Sequence, residues 1–294
     1  MNYFPTAPLA ESSKAKFNRA IRRWLDIIGN RATLMTIVNN PRVAMNYLEN
    51  TEAIKNTPEN HHGFISAIVA YVQHELMTHK NHKGMMMTWK QLQAQNQKPI
   101  NARHHTGEPT ERQKAKVVDW ETVCKVRDEL PLSSTKILLA MYSYVPPQRG
   151  GDFYDCKVFE KDPKTTEGNY LVLEPGKECL VMNDYKTEKV YGQNRIPLVE
   201  PLVKLLREYW SKYKNPYDAL FVKSEKEEPY TRSMFSAWAI RRLTEAFGKP
   251  MTLTVIRHAF ITSQDFNGPV KELKATASAM GHSMGLQQAY RWEK

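Results

Sequence analysis

A chain of 294 residues, 41% hydrophobic and 25% charged, has the length for two domains and the composition of a soluble globular protein. Its formal net charge of +11 points to a polyanionic partner, and the charge is uneven: 16 Lys and Arg against 8 Asp and Glu in residues 1–118, then 26 against 23. Three cysteines (Cys124, Cys156 and Cys179) without C-x-x-C spacing argue against a disulfide framework or a zinc site and for a reducing compartment. The start, "MNYFPTAPLAESSKAK", lacks the basic and apolar regions of a signal peptide. The longest apolar run, "FISAIVAYV", falls far short of the roughly 20 residues that cross a bilayer. The expectation is an intracellular protein outside the membrane.

The N-terminal third reads as helices. In "SSKAKFNRAIRRWLDIIGN" the apolar residues Phe17, Ile21, Trp24, Leu25 and Ile28 recur at helical spacing, with Gly29 as a stop. Lys14, Lys16, Arg19, Arg22 and Arg23 make this segment basic and are the candidate DNA-binding residues. Further helices are predicted from Asn40-Pro41 and Thr57-Pro58, each a cap residue followed by Pro at the first helical position, and over "MMMTWKQLQAQ". Met85, Met86 and Met87 there read as core filler. The polar, turn-rich "NQKPINARHHTGEPTERQKAK" is predicted to be a linker, placing the boundary between domains 1–105 and 106–294.

Beyond it the pattern is mixed. "DWETVCKVRDEL" and "LSSTKILLAMYSYV" read as helices. "NYLVLE" and "CLVMNDY" read as strands around a Pro-Gly turn, with "KVYGQNRIPL" as a third. The helical patterns "VEPLVKLLREYWSKY", "TRSMFSAWAIRRLTEAFG", "LTVIRHAFITSQDF" and "VKELKATASAMG" follow. The predicted fold class is mainly α with a small antiparallel β-sheet, an α+β domain preceded by an all-α helical bundle.

Common reaction motifs are missing. In "HELMTH", His79 follows His74 by five residues rather than the four of a zinc-protease helix, so the two side chains diverge. No P-loop, dinucleotide fingerprint or nucleophile elbow is present. Four separated stretches remain. "YSYVPPQRGGDF" presents Arg149 beside glycines, with Asp152 three residues on. "NDYKTEKVYGQNRIPL" places Lys186 at a turn, "LTVIRHAF" puts Arg257 inside an apolar helical pattern, and "MGHSMGLQQAYRW" holds His282 and Tyr290. Each residue taken singly has a structural reading: an Arg149–Asp152 pair, a solvated lysine, a histidine capping a helix.

In this order and spacing they resemble the tyrosine recombinases, or integrases, whose pattern is R-x-x-[DE], a hairpin Lys before I/V-P-L, an R-H helix, G-H-S, and a Tyr eight or nine residues past that His. Tyr290 falls eight past His282. The match covers residues 132–294, and the basic N-terminal part is similar to the family's core-binding domain. The resemblance implies a site-specific recombinase that joins a tyrosine to a DNA 3′-phosphate and frees a 5′-hydroxyl, without metal, ATP or other cofactor. It further implies action on double-stranded DNA as a homodimer or tetramer on paired sites, and an origin in a virus or mobile element. A phenol of ordinary pKa, about 10, is scarcely ionised at pH 7, so such a nucleophile needs help. By the resemblance Arg149 and Arg257 hold the phosphate oxygens, Lys186 protonates the leaving 5′-oxygen, His282 assists proton movement and Asp152 orients Arg149.

One position departs from the family. Thr254 stands three residues before Arg257, where a His or Lys is usual; it shares that helix face and offers only a hydroxyl. His258 is expected to point elsewhere as a structural residue. Only "RWEK" follows Tyr290, with Trp292 as its apolar anchor. In one unbroken helix Tyr290 would sit about 12 Å along the axis from His282, so a break is expected at Gly285. Two other readings are a type IB topoisomerase-like nicking-closing enzyme and a weakly catalytic, architectural DNA-binding relative.

Overall fold

The computed structural model describes residues 2–29, 33–51, 58–76, 82–106, 114–149, 151–223, 228–265, 270–281 and 283–291. His79, His282 and Trp292 lie outside them. The chain separates into two compact units, Met1–Thr106 and Gly107–Lys294.

The regular secondary structure described in the first unit is helical: α1 (Glu11–Ile28), α2 (Leu34–Asn39), α3 (Pro41–Asn50), α4 (Pro58–Tyr71) and α5 (Lys83–Thr106). α4 runs on into a π-type turn over Val72–Leu76. The apolar stripe of α1 turns inward, with Ile21 and Trp24 fully buried, while Lys16, Arg19, Arg22 and Arg23 stay exposed. Trp24 meets Phe64 at 5.5 Å and Trp89 edge-on at 5.9 Å between ring centroids, joining α1, α4 and α5 in one aromatic core. The Trp89 indole N–H donates to the Val38 carbonyl at 3.0 Å, so the polar edge of this buried ring is satisfied.

The second unit begins with α6 (Trp120–Glu129) and α7 (Ser134–Ser143), each started by a side-chain cap. Asp119 accepts from Thr122 N–H at 2.7 Å and Ser133 from Lys136 N–H at 3.3 Å. The strands β1 (Lys157–Phe159), β2 (Tyr170–Val172), β3 (Cys179–Met182) and β4 (Asn194–Pro197) form a sheet in the order β1-β2-β3-β4. A helical turn, α8 (Glu188–Tyr191), interrupts the connection from β3 to β4. Then come α9 (Glu200–Tyr213), α10 (Arg232–Phe247), α11 (Leu253–Ser263), α12 (Val270–Ala279) and α13 (Met284–Ala289). Every residue of β2 and β3 is buried, which is why these segments read as continuous apolar runs. The second unit is therefore mainly α with one small sheet, and it follows in sequence a first unit whose described elements are helices.

Several elements differ from the sequence expectation. The sheet is mixed: β2, β3 and β4 are antiparallel, and β1 adds parallel to β2. β1 was not predicted, because three residues flanked by charges carry no period; Val158 N–H bonding to the Asp218 carbonyl at 2.7 Å holds it. The strand expected over "KVYGQNRIPL" is confined to Asn194–Pro197. The segment expected to start the linker is helix instead, since α5 continues through Pro99 to Thr106. A proline removes one backbone donor from a helix; here Ile100 is buried, and Gln97 donates to Asn101 at 2.8 Å across that turn. Of the three methionines read as core filler, Met86 is buried and Met87 is 63% exposed.

Candidate active site

α7 ends where Pro146 and Pro147 forbid further helix. The following Gln148 is buried, and its amide donates to the carbonyls of Pro146 and Ala279, both at 2.7 Å, pinning this loop to the end of α12. Arg149, half-buried, comes next. Its N–H donates to the Asp152 carboxylate at 3.1 Å, and its carbonyl accepts from Asp152 N–H at 3.0 Å. Asp152 thus fixes the backbone that carries Arg149. Arg232, at the start of α10, lies over the same turn: it donates to the Gly151 carbonyl at 3.1 Å and stands 3.9 Å from the Asp152 carboxylate. A Cβ on Gly151 would sit 2.7 Å from the Arg232 guanidinium carbon, so a side chain there would move the guanidinium off this turn.

Burial raises the Asp152 carboxyl to about 6, against the Arg149 N–H bond and the charges of Arg149, Arg232 and Arg257, which pull it down. Arg257 is 4% exposed on α11, a helix capped by Thr252 on Val255 N–H at 3.3 Å. Burial lowers its pKa; Tyr142, Tyr290 and Asp152 oppose this, while the like charge of Arg149 adds to it. Tyr142, fully buried, has its phenol pushed far up by burial, with Asp152 adding to this and Arg257 opposing it.

Tyr290 is half-buried, its ring 5.9 Å from the Arg257 guanidinium. His258 meets the same tyrosine: Nδ1 lies 2.6 Å from the Tyr290 carbonyl oxygen, and the ring centroids are 5.0 Å apart. The sequence reading sent His258 elsewhere on the helix. Consecutive residues are about 100° apart, which is little enough for Arg257 and His258 to flank one bulky residue. The helix break before Tyr290 also falls elsewhere than expected. Gly285 lies inside α13, and the chain turns at Gly281, which has φ +66°.

Lys186 is exposed on the turn after β3. Its neighbours tie that turn to Gly281: Thr187 Oγ1 donates to the Gly281 carbonyl at 2.7 Å, and the Tyr185 ring lies against the glycine. The Tyr185 hydroxyl closes the loop on itself by donating to the Gly192 carbonyl at 2.7 Å. Arg149, Asp152, Arg257 and Tyr290 therefore share one site, and the Lys186 turn is joined to it through the end of α12. Thr254 is exposed, one turn before the buried Arg257.

No family model matches the chain, and no curated protein does. Among solved structures, a crystal structure of XerA recombinase is similar with a TM-score of 0.46 at 14% identity, over 97% of this chain and 88% of that one. A likeness this slight carries nothing over to this chain.

The sequence did not assign two residues to the site. Arg232 is one of many exposed arginines, and only its placement over Gly151 distinguishes it; His258 was visible in the motif but its target was not. Among the described residues, no three His, Cys, Asp or Glu side chains are grouped to hold a metal ion, and no helix is long and apolar enough to cross a membrane. In the first unit, Lys14, Arg19 and Arg22 line a hollow of about 360 Å³ on α1 with Asn2 and Asn18. Lys14 also pairs with Glu11 at 3.0 Å, while Lys16 and Arg23 are exposed on the same helix.

Proposed function

We propose that this chain breaks and rejoins double-stranded DNA as a site-specific tyrosine recombinase, with Tyr290 as its nucleophile. The observation that carries the reading is the approach of Tyr290 to Arg257, which shares the field of Asp152 with Arg149. Arg257 beside the phenol, within the field of Arg149, would form with it a seat for a phosphodiester: their donor forks match its non-bridging oxygens and offset charge as the phosphorane forms. The Tyr290 oxygen attacks phosphorus, the bond to the 5′-oxygen breaks, and Lys186 protonates that leaving oxygen. His282 assists proton movement at the phosphate. The reverse reaction with another strand's 5′-hydroxyl exchanges strands and conserves the phosphoester bond, so the step needs no metal or nucleotide.

The basic face of α1, with Lys14, Lys16, Arg19, Arg22 and Arg23, serves in this reading as a DNA-backbone contact of a clamping domain. Dimers or tetramers would assemble on paired sites. Asp152 supports Arg149 through its backbone, and Thr254 offers a hydroxyl where relatives carry a base.

The test is trapping on a nicked suicide duplex. The wild-type chain should become covalently attached at a 3′-phosphate, and Tyr290→Phe should bind the duplex without attachment. An adduct that survives in Tyr290→Phe would remove the nucleophile assignment. Relaxation of supercoiled plasmid by the monomer, without sequence preference, would favour a topoisomerase-like enzyme; binding without attachment by wild type would favour an architectural protein.

A further inference from the structure

We propose that His258 is the positioning residue that seats Tyr290, donating from its ring N–H to the Tyr290 main chain while packing against the phenol. This rests on the reading of Tyr290 as the nucleophile and adds what holds that nucleophile in place.

The Tyr290 carbonyl can only accept, so the 2.6 Å contact requires the proton on His258 Nδ1. A neutral imidazole then keeps Nε2 as its acceptor, and protonating Nε2 leaves the bond in place. The same residue supplies a second contact through its ring, 5.0 Å from the phenol ring. His258 is itself 8% exposed on α11, between buried Arg257 and Ala259, so its position is set by the core.

Tyr290 hangs on a short support. α13 is six residues long, follows the turn at Gly281, and ends with Tyr290 N–H bonded to the Gln287 carbonyl at 3.1 Å. A helix this short holds no fixed direction alone. The bond from α11 references the nucleophile's backbone to the helix that carries the phosphate-binding Arg257, so that ring and guanidinium keep their 5.9 Å relation. Attack in line on phosphorus depends on that relation, and small displacements of a nucleophile lower rates steeply.

Two substitutions separate the contacts. His258→Phe keeps an aromatic ring and removes the donor; His258→Asn removes the ring and keeps an amide N–H near the Nδ1 position. Both are made in the full chain and measured in two ways. Without DNA, hydrogen exchange is followed in peptides covering residues 283–291; on saturating suicide duplex, adduct formation is followed in a single turnover. His258→Phe should speed exchange in that segment alone and slow adduct formation, each by about tenfold, with DNA affinity and thermal midpoint near wild type. His258→Asn should bring both back to within about threefold. Unchanged exchange in His258→Phe overturns the proposal, as does an adduct rate lost equally in both variants. A wild-type chain that forms no adduct removes the nucleophile reading, while the exchange measurement still decides whether His258 holds the tail.

Discussion

Asp152 couples the site to pH. Its folded-state pKa of about 6 lies above the 3.8 of an exposed aspartate, so the fold binds its proton more tightly than the unfolded chain does. The stability it contributes is full below pH 3.8 and is lost as pH rises through about 6, a change of roughly 3 kcal/mol. Asn cannot titrate, and its side-chain oxygen can still accept from Arg149 N–H. Asp152→Asn should therefore gain on wild type by up to about 3 kcal/mol between pH 4 and pH 7 in urea unfolding. A pH-independent difference would show that Asp152 is not buried as described. Lys186 raises a different question, that of proton delivery. Lys186→Ala should slow cleavage of an ordinary 5′-oxygen about 10²–10⁴-fold and that of a 5′-phosphorothiolate far less, because sulfur leaves without an acid. Equal slowing of both substrates would take the acid role away from Lys186.

At the scale of elements, the end of α12 is the junction of the site. Gln148 holds it from the Arg149 loop and Thr187 from the Lys186 turn, around a glycine at φ +66°. A Cβ on Gly281 would meet Thr187 Oγ1 at 3.1 Å and the Tyr185 ring at 3.2 Å, in a backbone region that side chains disfavour. Gly281→Ala should lower stability by about 1–2 kcal/mol and slow adduct formation more than it weakens DNA binding. Stability and cleavage both at wild-type level would mean the junction is dispensable. The helices around this junction were legible in the sequence because an apolar stripe, a capping Ser, Thr or Asp and a stop are all local signals. Two pieces were not legible there. β1 is a strand because β2 and the Asp218 carbonyl lie beside it, and α5 passes Pro99 without regard to a local signal that marks a turn.

The molecule as a whole carries +11 charges, and its two units hold separate cores, one around Trp24 and Trp89, the other around α7, α11 and the sheet. If the basic residues of α1 and others elsewhere in the chain together neutralise 6–10 phosphates, DNA affinity should fall by about 10³–10⁵ between 50 and 200 mM salt. Replacing Arg19, Arg22 and Arg23 together by Gln should flatten that dependence by up to three phosphates' worth. A slope unchanged by the triple substitution would move the DNA contact off α1.

The sequence by itself determined the helices, the basic first third, and the order of Arg149, Lys186, Arg257, His282 and Tyr290, because spacing and residue type are properties of the chain. It left open the partners of those residues. Only the tertiary structure decided that Asp152 grips the Arg149 backbone, that Arg232 joins them, that the chain turns at Gly281 rather than Gly285, and that His258 meets Tyr290. The contacts of Arg232 with Gly151 and of His258 with Tyr290 join segments far apart in the chain. Such contacts are set by how the helices pack, which no local pattern of residues specifies.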